Sequence, residues 1–111
     1  MFNRKFLAAS CFTVSMAVAA PSFAGSVGSS TINNVLANAS GTAFVRFAKS
    51  LTGRPACATL ASELTFDSTT LGGRAVLAAV TAAKLSGRAV NATGTNTCTG
   101  LRENLADVTL L

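Results

Sequence analysis

The side chains of this chain that could do acid–base chemistry are four carboxylates, in a sequence of 111 residues with no His and no Tyr. Glu63 and Asp67 stand close in sequence, as do Glu103 and Asp107, and a pair of carboxylates can serve as general acid and base. The absence of His excludes Ser–His and Cys–His nucleophile arrangements. We expect all four acids to be solvated surface groups, with Asp67 capping a helix. The sequence therefore predicts no catalytic site and no enzyme.

The N-terminal segment has the layout of a secretory signal peptide. Arg4 and Lys5 form a positive start, residues 6–20 are apolar, and "PSFAG" supplies small residues before a cut. The peptidase accepts only small side chains near the cut, so this order predicts a signal peptide over 1–24 with cleavage between Ala24 and Gly25.

Two other interpretations of this segment are less favourable. An uncleaved membrane anchor needs about 20 apolar residues, and the run 6–20 is shorter. A lipoprotein modified at Cys11 needs a large aliphatic residue where Ala8 stands. We therefore expect one exported domain, residues 25–111, that is periplasmic or secreted. Removing Arg4 and Lys5 lowers the net charge from +5 to +3, which does not favour nucleic acid as a partner.

Cleavage after residue 24 leaves two of the three cysteines, Cys57 and Cys98. An even number of cysteines in an oxidising compartment predicts a disulfide, and here only one pairing exists. It would close a loop of about 42 residues and contribute about 4 kcal/mol in the chain-entropy model. Two cysteines without a His do not form a zinc site, so we predict no metal and no cofactor.

The elements that position these residues are mostly strands. A hairpin is predicted from 31–37 and 42–49 around the turn "NASGT", and weaker strand character follows in 55–67. The segment after the helix reads as a strand to about residue 93 with Gly94 in a turn, then a last strand near the C-terminus. Residues 25–30 read as a flexible start. Strands before and after a single helix exclude an alternating parallel sheet.

One segment, "STTLGGRAVLAAVTAAKLSGRAV", predicts the only helix, at about 69–86. Asp67, Ser68 and Thr69 are candidate N-caps, and Gly87 is the expected C-cap glycine. The fold class is then mainly β with one helix (α+β). We expect an OB-fold-like small barrel of five to six strands, capped by that helix. Phe44, Phe47 and Phe66 are expected to fill the barrel, which leaves no aromatic surface for stacking nucleic acid bases.

The helix is apolar around most of its circumference. At 100° per residue, Arg74, Thr81, Lys84 and Arg88 share one stripe interrupted by Leu77. The apolar run 75–83 is too short to span a membrane, and the helix lacks the bulky anchors of a membrane-surface helix, so we predict no membrane insertion. The second apolar side of the helix either contacts another subunit or stays exposed to solvent, which alanine side chains tolerate. We favour a subunit interface, with the candidate residues Val76, Leu77, Val80, Ala83 and Lys84.

Several segments carry a resemblance to a known group of proteins: "ACAT", "LTFDSTTLGGRAVLAAVTAAKLSGRAV" and "GTNTC". This pattern, within residues 56–98, resembles small exported bacterial proteins of unassigned role and the B subunit of subtilase cytotoxin, an AB5 toxin. The resemblance implies an OB-fold, a Cys57–Cys98 bridge, a helix at a subunit interface or pore, and a homopentamer. No glycan-binding residue of that family can be matched to this sequence.

Two functional hypotheses follow. The first is an exported, non-enzymatic binding protein, oligomeric like a toxin B subunit, whose partner is a protein or a glycan. The alternative is a small structural or stress-related protein of the cell envelope that has no small-molecule ligand.

Overall fold

The computed structural model describes residues 24–111. The signal peptide predicted over 1–24 lies outside the described residues except for its last position. Six strands and one helix follow one another along the chain: β1 Ser26–Ser30, β2 Ile32–Ala37, β3 Thr42–Phe47, β4 Glu63–Asp67, α1 Leu71–Ser86, β5 Val90–Thr99 and β6 Arg102–Leu110. This is the predicted mainly-β (α+β) class with one helix.

The six strands form one curled sheet in the order β1-β5-β6-β4-β3-β2. All neighbours are antiparallel except β4 and β6, which run parallel. β1 and β2 stand at opposite edges of the sheet, yet only Thr31 separates them in the chain. They therefore act as one bent strand that brings the two edges together, and the result is a small, OB-fold-like barrel as predicted.

The core fills the inside of this curled sheet. Along β3 and β4, successive side chains alternate between the two faces of the sheet. Val45 and Phe47 of β3 and Leu64 and Phe66 of β4 point inward and are buried. Val80 and Ala83 of the helix are fully buried against the same cluster. Because successive side chains of a strand point to opposite faces, the residues between these positions lie on the outer face of the sheet.

Helix α1 has the ends that its sequence predicts, with one change at the N-terminus. Thr70, and none of the three predicted caps, is the N-cap, and its Oγ1 accepts a hydrogen bond of 2.9 Å from the Gly73 amide. Gly87 closes the helix in the left-handed conformation, with φ 69°. Asp67 lies about one turn before the helix and does not cap it. Its carboxylate accepts hydrogen bonds from Thr69 instead.

Three strand predictions were wrong. Residues 26–30 form β1, although "SVGSS" has low strand propensity, because β5 supplies the hydrogen-bonding partner. Gly94 was predicted in a turn, but it lies inside β5 at a shift in register, and the strand continues to Thr99. Only Glu63–Asp67 of the segment 55–67 is a strand, and the part before it is a loop held by the disulfide.

The predicted disulfide is present. Cys57 and Cys98 are bonded, with their Cα atoms 6.2 Å apart and 41 positions apart in sequence. The bond ties the loop between β3 and β4 to the far end of β5. Such a bond is compatible with an oxidising, exported location. Within residues 24–111, no helix combines the length and apolar character that crossing a membrane requires.

Candidate functional site

The outer side of β3, β4 and β6 carries a set of mostly polar side chains, here called the polar face: Thr42, Phe44 and Arg46 from β3, Glu63, Thr65 and Asp67 from β4, and Arg102 and Asn104 from β6. The register aligns them in rows across the strands. Phe44 pairs with Thr65, which pairs with Asn104. A half-buried aromatic ring therefore lies among hydrogen-bonding groups.

One row of the polar face is a charged cluster built on Glu63. The Arg46 Nε donates to Oε2 of Glu63 at 2.8 Å, and the Arg102 Nε donates to Oε1 at 2.5 Å. The Glu63 side chain is 4% exposed, against 49% for Arg46 and 30% for Arg102. Both carboxylate oxygens are thus covered by guanidinium groups that remain partly in water.

Electrostatics in this cluster favour the ionised form of Glu63. Burial alone would raise the pKa of its carboxyl group, but hydrogen bonds and charge from Arg102 and Arg46 outweigh burial and hold the pKa below its ordinary value. The Arg102 guanidinium also lies over the Phe44 ring, 4.1 Å from the ring centre, which is within the range of a cation–π contact. Phe44 and the charged row therefore form one connected cluster.

An open pocket of about 320 Å³ lies at the other end of the polar face, where the β2–β3 turn approaches the start of the helix. Ser40 and Gly41 of the turn and Thr69 before the helix form one rim, and Asp67 and Asn104 contribute polar groups. A second open pocket of about 310 Å³ adjoins it, shares Thr65, Asp67 and Asn104, and reaches the first turns of the helix.

Hydrogen bonds fix the polar side chains around the first pocket. Asp67 Oδ1 accepts from the Thr69 amide at 2.9 Å and from the Thr69 hydroxyl at 2.6 Å, and these bonds lower the pKa of the Asp67 carboxyl group. Asn104 accepts from the Thr99 hydroxyl at 2.8 Å and donates to Thr97 at 3.1 Å. The pocket thus presents donors and acceptors in set positions.

The chemistry available to this arrangement is recognition through hydrogen bonds. Among residues 24–111, no group of three or more Cys, Asp or Glu side chains could hold a metal ion. Both carboxylates of the polar face are engaged, Glu63 by two arginines and Asp67 by Thr69. The absence of an enzyme activity and of a cofactor stays a prediction.

The expectation that all four acids are solvated was wrong for two of them. Glu63 is 3% exposed and Glu103 is fully buried, because each has strong hydrogen-bond donors within reach. The expectation that Phe44 fills the barrel was also wrong, since it lies on the outer face under Arg102. Phe47 and Phe66 are in the core as predicted.

The predicted helix-interface residues differ in their exposure. Val80 and Ala83 are fully buried against the sheet of their own chain and cannot contact a partner in this conformation. Val76 and Leu77 pack partly against that core, and Lys84 is exposed. A subunit interface on this helix stays a prediction, and it now involves only Val76, Leu77 and Lys84 of the five.

Sequence reasoning missed the polar face as a unit, although part of the signal was present. The alternation of "TAFVRFA" places Phe44 and Arg46 on the face opposite Val45 and Phe47. It could not bring Arg102 and Asn104 to the same place, because the parallel pairing of β4 with β6 joins segments almost 40 residues apart, as the separation of 39 between Glu63 and Arg102 shows.

Comparison with known proteins adds no relative: no family model, no curated protein and no solved structure matches this chain. The function must therefore be argued from the fold and the polar face.

Proposed function

We propose that this chain is an exported, non-enzymatic binding protein that holds a hydroxyl-rich ligand, such as a short glycan, on its polar face. The observation that supports the proposal is the pocket of about 320 Å³ on this face, rimmed by the hydroxyl, amide and carboxylate groups of threonines, Asn104 and Asp67. In an OB-fold, the corresponding strands and loops are where oligosaccharides and oligonucleotides bind, so the fold supports this face as a binding surface by analogy alone.

The charges on the face favour a neutral ligand over a nucleic acid. Arg46 and Arg102 are the cations of the face, and both are paired with Glu63. Asp67 adds a negative charge at the pocket, which repels phosphates. A sugar hydroxyl donates and accepts hydrogen bonds at once, so it matches the mixed donors and acceptors of Asp67, Asn104 and the surrounding threonines.

The resemblance to AB5 toxin B subunits supports the same class of function and adds an expectation about assembly. In that interpretation the mature chain forms a homopentamer that displays several copies of the polar face, and multivalency raises the avidity of a weak single site. The molar mass of the oxidised chain 25–111 by light scattering tests this part. A pentamer would support the resemblance, and a monomer would remove it.

Ligand binding is tested by screening the oxidised chain 25–111 on a glycan array and titrating any hit by calorimetry. We expect Asp67→Asn to weaken binding about tenfold or more, because a charged acceptor in the pocket is lost. Asp107→Asn is the matched control: Asp107 is also exposed and also accepts a threonine hydroxyl, from Thr93 at 2.9 Å, but it does not line the pocket.

Two results would contradict the proposal. If no glycan binds, the alternative of a structural or stress-related envelope protein without a small ligand becomes the better one. If a glycan binds and both Asp→Asn variants bind it equally well, the ligand sits elsewhere on the molecule.

A further inference from the structure

Glu103 is a buried acid that the polar face does not use. It is fully buried on β6 and points to the inside of the barrel, opposite Asn104. Its carboxylate accepts hydrogen bonds from two backbone amides. The Asn96 nitrogen lies 2.8 Å from Oε2, and the Gly25 nitrogen lies 3.1 Å from each of the two oxygens.

Within residues 24–111, no lysine or arginine side chain forms an ion pair with this carboxylate. Both ion pairs found within residues 24–111 are on Glu63, and the guanidinium of nearby Arg54 donates to the Ala58 carbonyl instead. A buried carboxylate without a positive partner is costly, since burial removes its hydration and only a charge nearby fully compensates.

The space around Glu103 is shaped for a backbone nitrogen at position 25. A Cβ atom placed on Gly25 would lie 2.4 Å from Oε1 of Glu103, and one on Gly94 would lie 2.2 Å from its carboxyl carbon. The Gly94 amide also donates to the Gly25 carbonyl at 2.8 Å, which fixes residue 25 against β5. The Gly25 nitrogen is therefore held on the carboxylate by the fold itself.

Cleavage at the predicted site changes this nitrogen chemically. A peptidase adds one water across the Ala24–Gly25 bond, so that Ala24 leaves with a carboxylate and Gly25 keeps an amine, which takes up a proton at neutral pH. An amide has a single hydrogen to share between two oxygens, whereas an ammonium group has three. The equal distances of 3.1 Å to both oxygens suit the ammonium group.

We propose that Glu103 is the internal acceptor for the α-ammonium group of Gly25, so that removal of the signal peptide completes a buried ion pair and stabilises the mature fold. This inference rests on cleavage between Ala24 and Gly25 and is independent of any ligand on the polar face. In this proposal, the stability of the barrel rises when the signal peptide is removed, so the last step of export has a structural consequence.

The test is a double-mutant cycle on the oxidised chain 25–111, made by synthesis. The first change is at the N-terminus, which is either free or Nα-acetylated. The acetyl group removes the positive charge but keeps one N–H on Gly25, so the acetylated chain resembles the uncleaved chain at this position. The second change is Glu103→Gln. In the Glu103 background we expect acetylation to raise the unfolding equilibrium constant about tenfold or more, and in the Gln background by much less.

Equal effects of acetylation in both backgrounds would overturn the proposal. If the Gln variants do not fold, amine reactivity in the unmodified chain decides. We expect an N-hydroxysuccinimide ester to label the Gly25 amine at least about tenfold more slowly in the folded chain than in urea, while exposed Lys84 is labelled at similar rates in both. Rapid labelling of folded Gly25 would refute the ion pair.

The mass of the chain exported in a bacterial host, measured on the intact protein, checks the premise separately. A mass that matches a chain beginning at Gly25 supports the premise. A mass that matches a chain beginning at any other residue overturns the proposal but says nothing about the ligand of the polar face.

Discussion

At the scale of single residues, two buried glutamates show how a charge is accommodated inside this barrel. Glu63 lies under two arginines on the outer face, and Glu103 lies on the inner side against backbone amides. Both stand beside the β4–β6 pairing, where Leu64 is aligned with Glu103. The partners differ: guanidinium groups cover both oxygens of Glu63, whereas Glu103 accepts hydrogen bonds from the backbone nitrogens of Gly25 and Asn96. In each case hydrogen-bond donors at the carboxylate are the condition for its burial.

The pH dependence of stability tests the Glu63 cluster. Arginine contacts lower the pKa of Glu63 in the folded chain although burial opposes them, so its contribution is complete above the ordinary value of 4.5 and is lost as the pH falls through the folded-state pKa. Glu63→Gln should lower the free energy of unfolding by about 1–3 kcal/mol at neutral pH. Urea unfolding should show this difference shrinking below pH 4.5.

The neighbouring variant Thr65→Val is the control, because it removes a hydrogen bond of 2.8 Å to the Ala43 carbonyl without an ionisable group. Its effect on stability should not change with pH. A deficit in Glu63→Gln that is the same in acid as at neutral pH would mean that the arginines do not shift Glu63.

At the scale of elements, the helix and the strands depend on different information. Helix α1 carries its own signals, namely alanine and leucine in its body, Thr70 at the start and Gly87 at the end. β1 has almost none, since "SVGSS" is small and polar, and it exists because β5 pairs with it. Local sequence thus fixes the helix, while β1 is fixed by its neighbour.

Replacing threonine by alanine should have different effects at the N-cap of this helix and inside the helix. Thr70→Ala removes the oxygen that accepts the Gly73 amide at 2.9 Å, and should lower the free energy of unfolding by about 1 kcal/mol. Thr81→Ala, at an exposed position inside the same helix, should be neutral or raise it by up to about 0.7 kcal/mol. Thermal unfolding followed by circular dichroism measures both.

Thr70→Ser keeps the hydroxyl and should restore most of the lost stability. An equal loss in Thr70→Ser and Thr70→Ala would show that the methyl group, and not the capping bond, is the important part of Thr70.

At the scale of the whole molecule, contacts between distant segments hold the barrel together. The bent β1–β2 strand joins the two edges of the sheet. The disulfide fastens the loop before β4 to β5, across 41 positions, and Thr59 in that loop donates to the Leu101 carbonyl at 3.0 Å. A domain this small buries a limited core, so these long-range links matter for its stability.

Reduction of the disulfide should therefore lower the free energy of unfolding by about 4 kcal/mol, because the unfolded chain regains the freedom of a loop of about 42 residues. Urea unfolding of the chain 25–111 with and without dithiothreitol measures the change. The double variant Cys57→Ser, Cys98→Ser should match the reduced protein and should not respond to dithiothreitol. Identical stability of the oxidised and reduced protein would contradict this assignment.

The sequence by itself determined the helix, the hairpin around "NASGT", the pairing of Cys57 with Cys98 and the mainly-β class. Each of these depends on a local pattern or, for the disulfide, on there being a single possible pairing between the two cysteines that follow the predicted cleavage site. Only the tertiary structure decided that β1 is a strand, that Phe44 faces outward and that Glu63 and Glu103 are buried. Those outcomes depend on partners such as Arg102, which is 39 positions from Glu63, and Gly25, which is 78 positions from Glu103. Contacts between residues so far apart in sequence produce no periodic pattern from which they could be predicted.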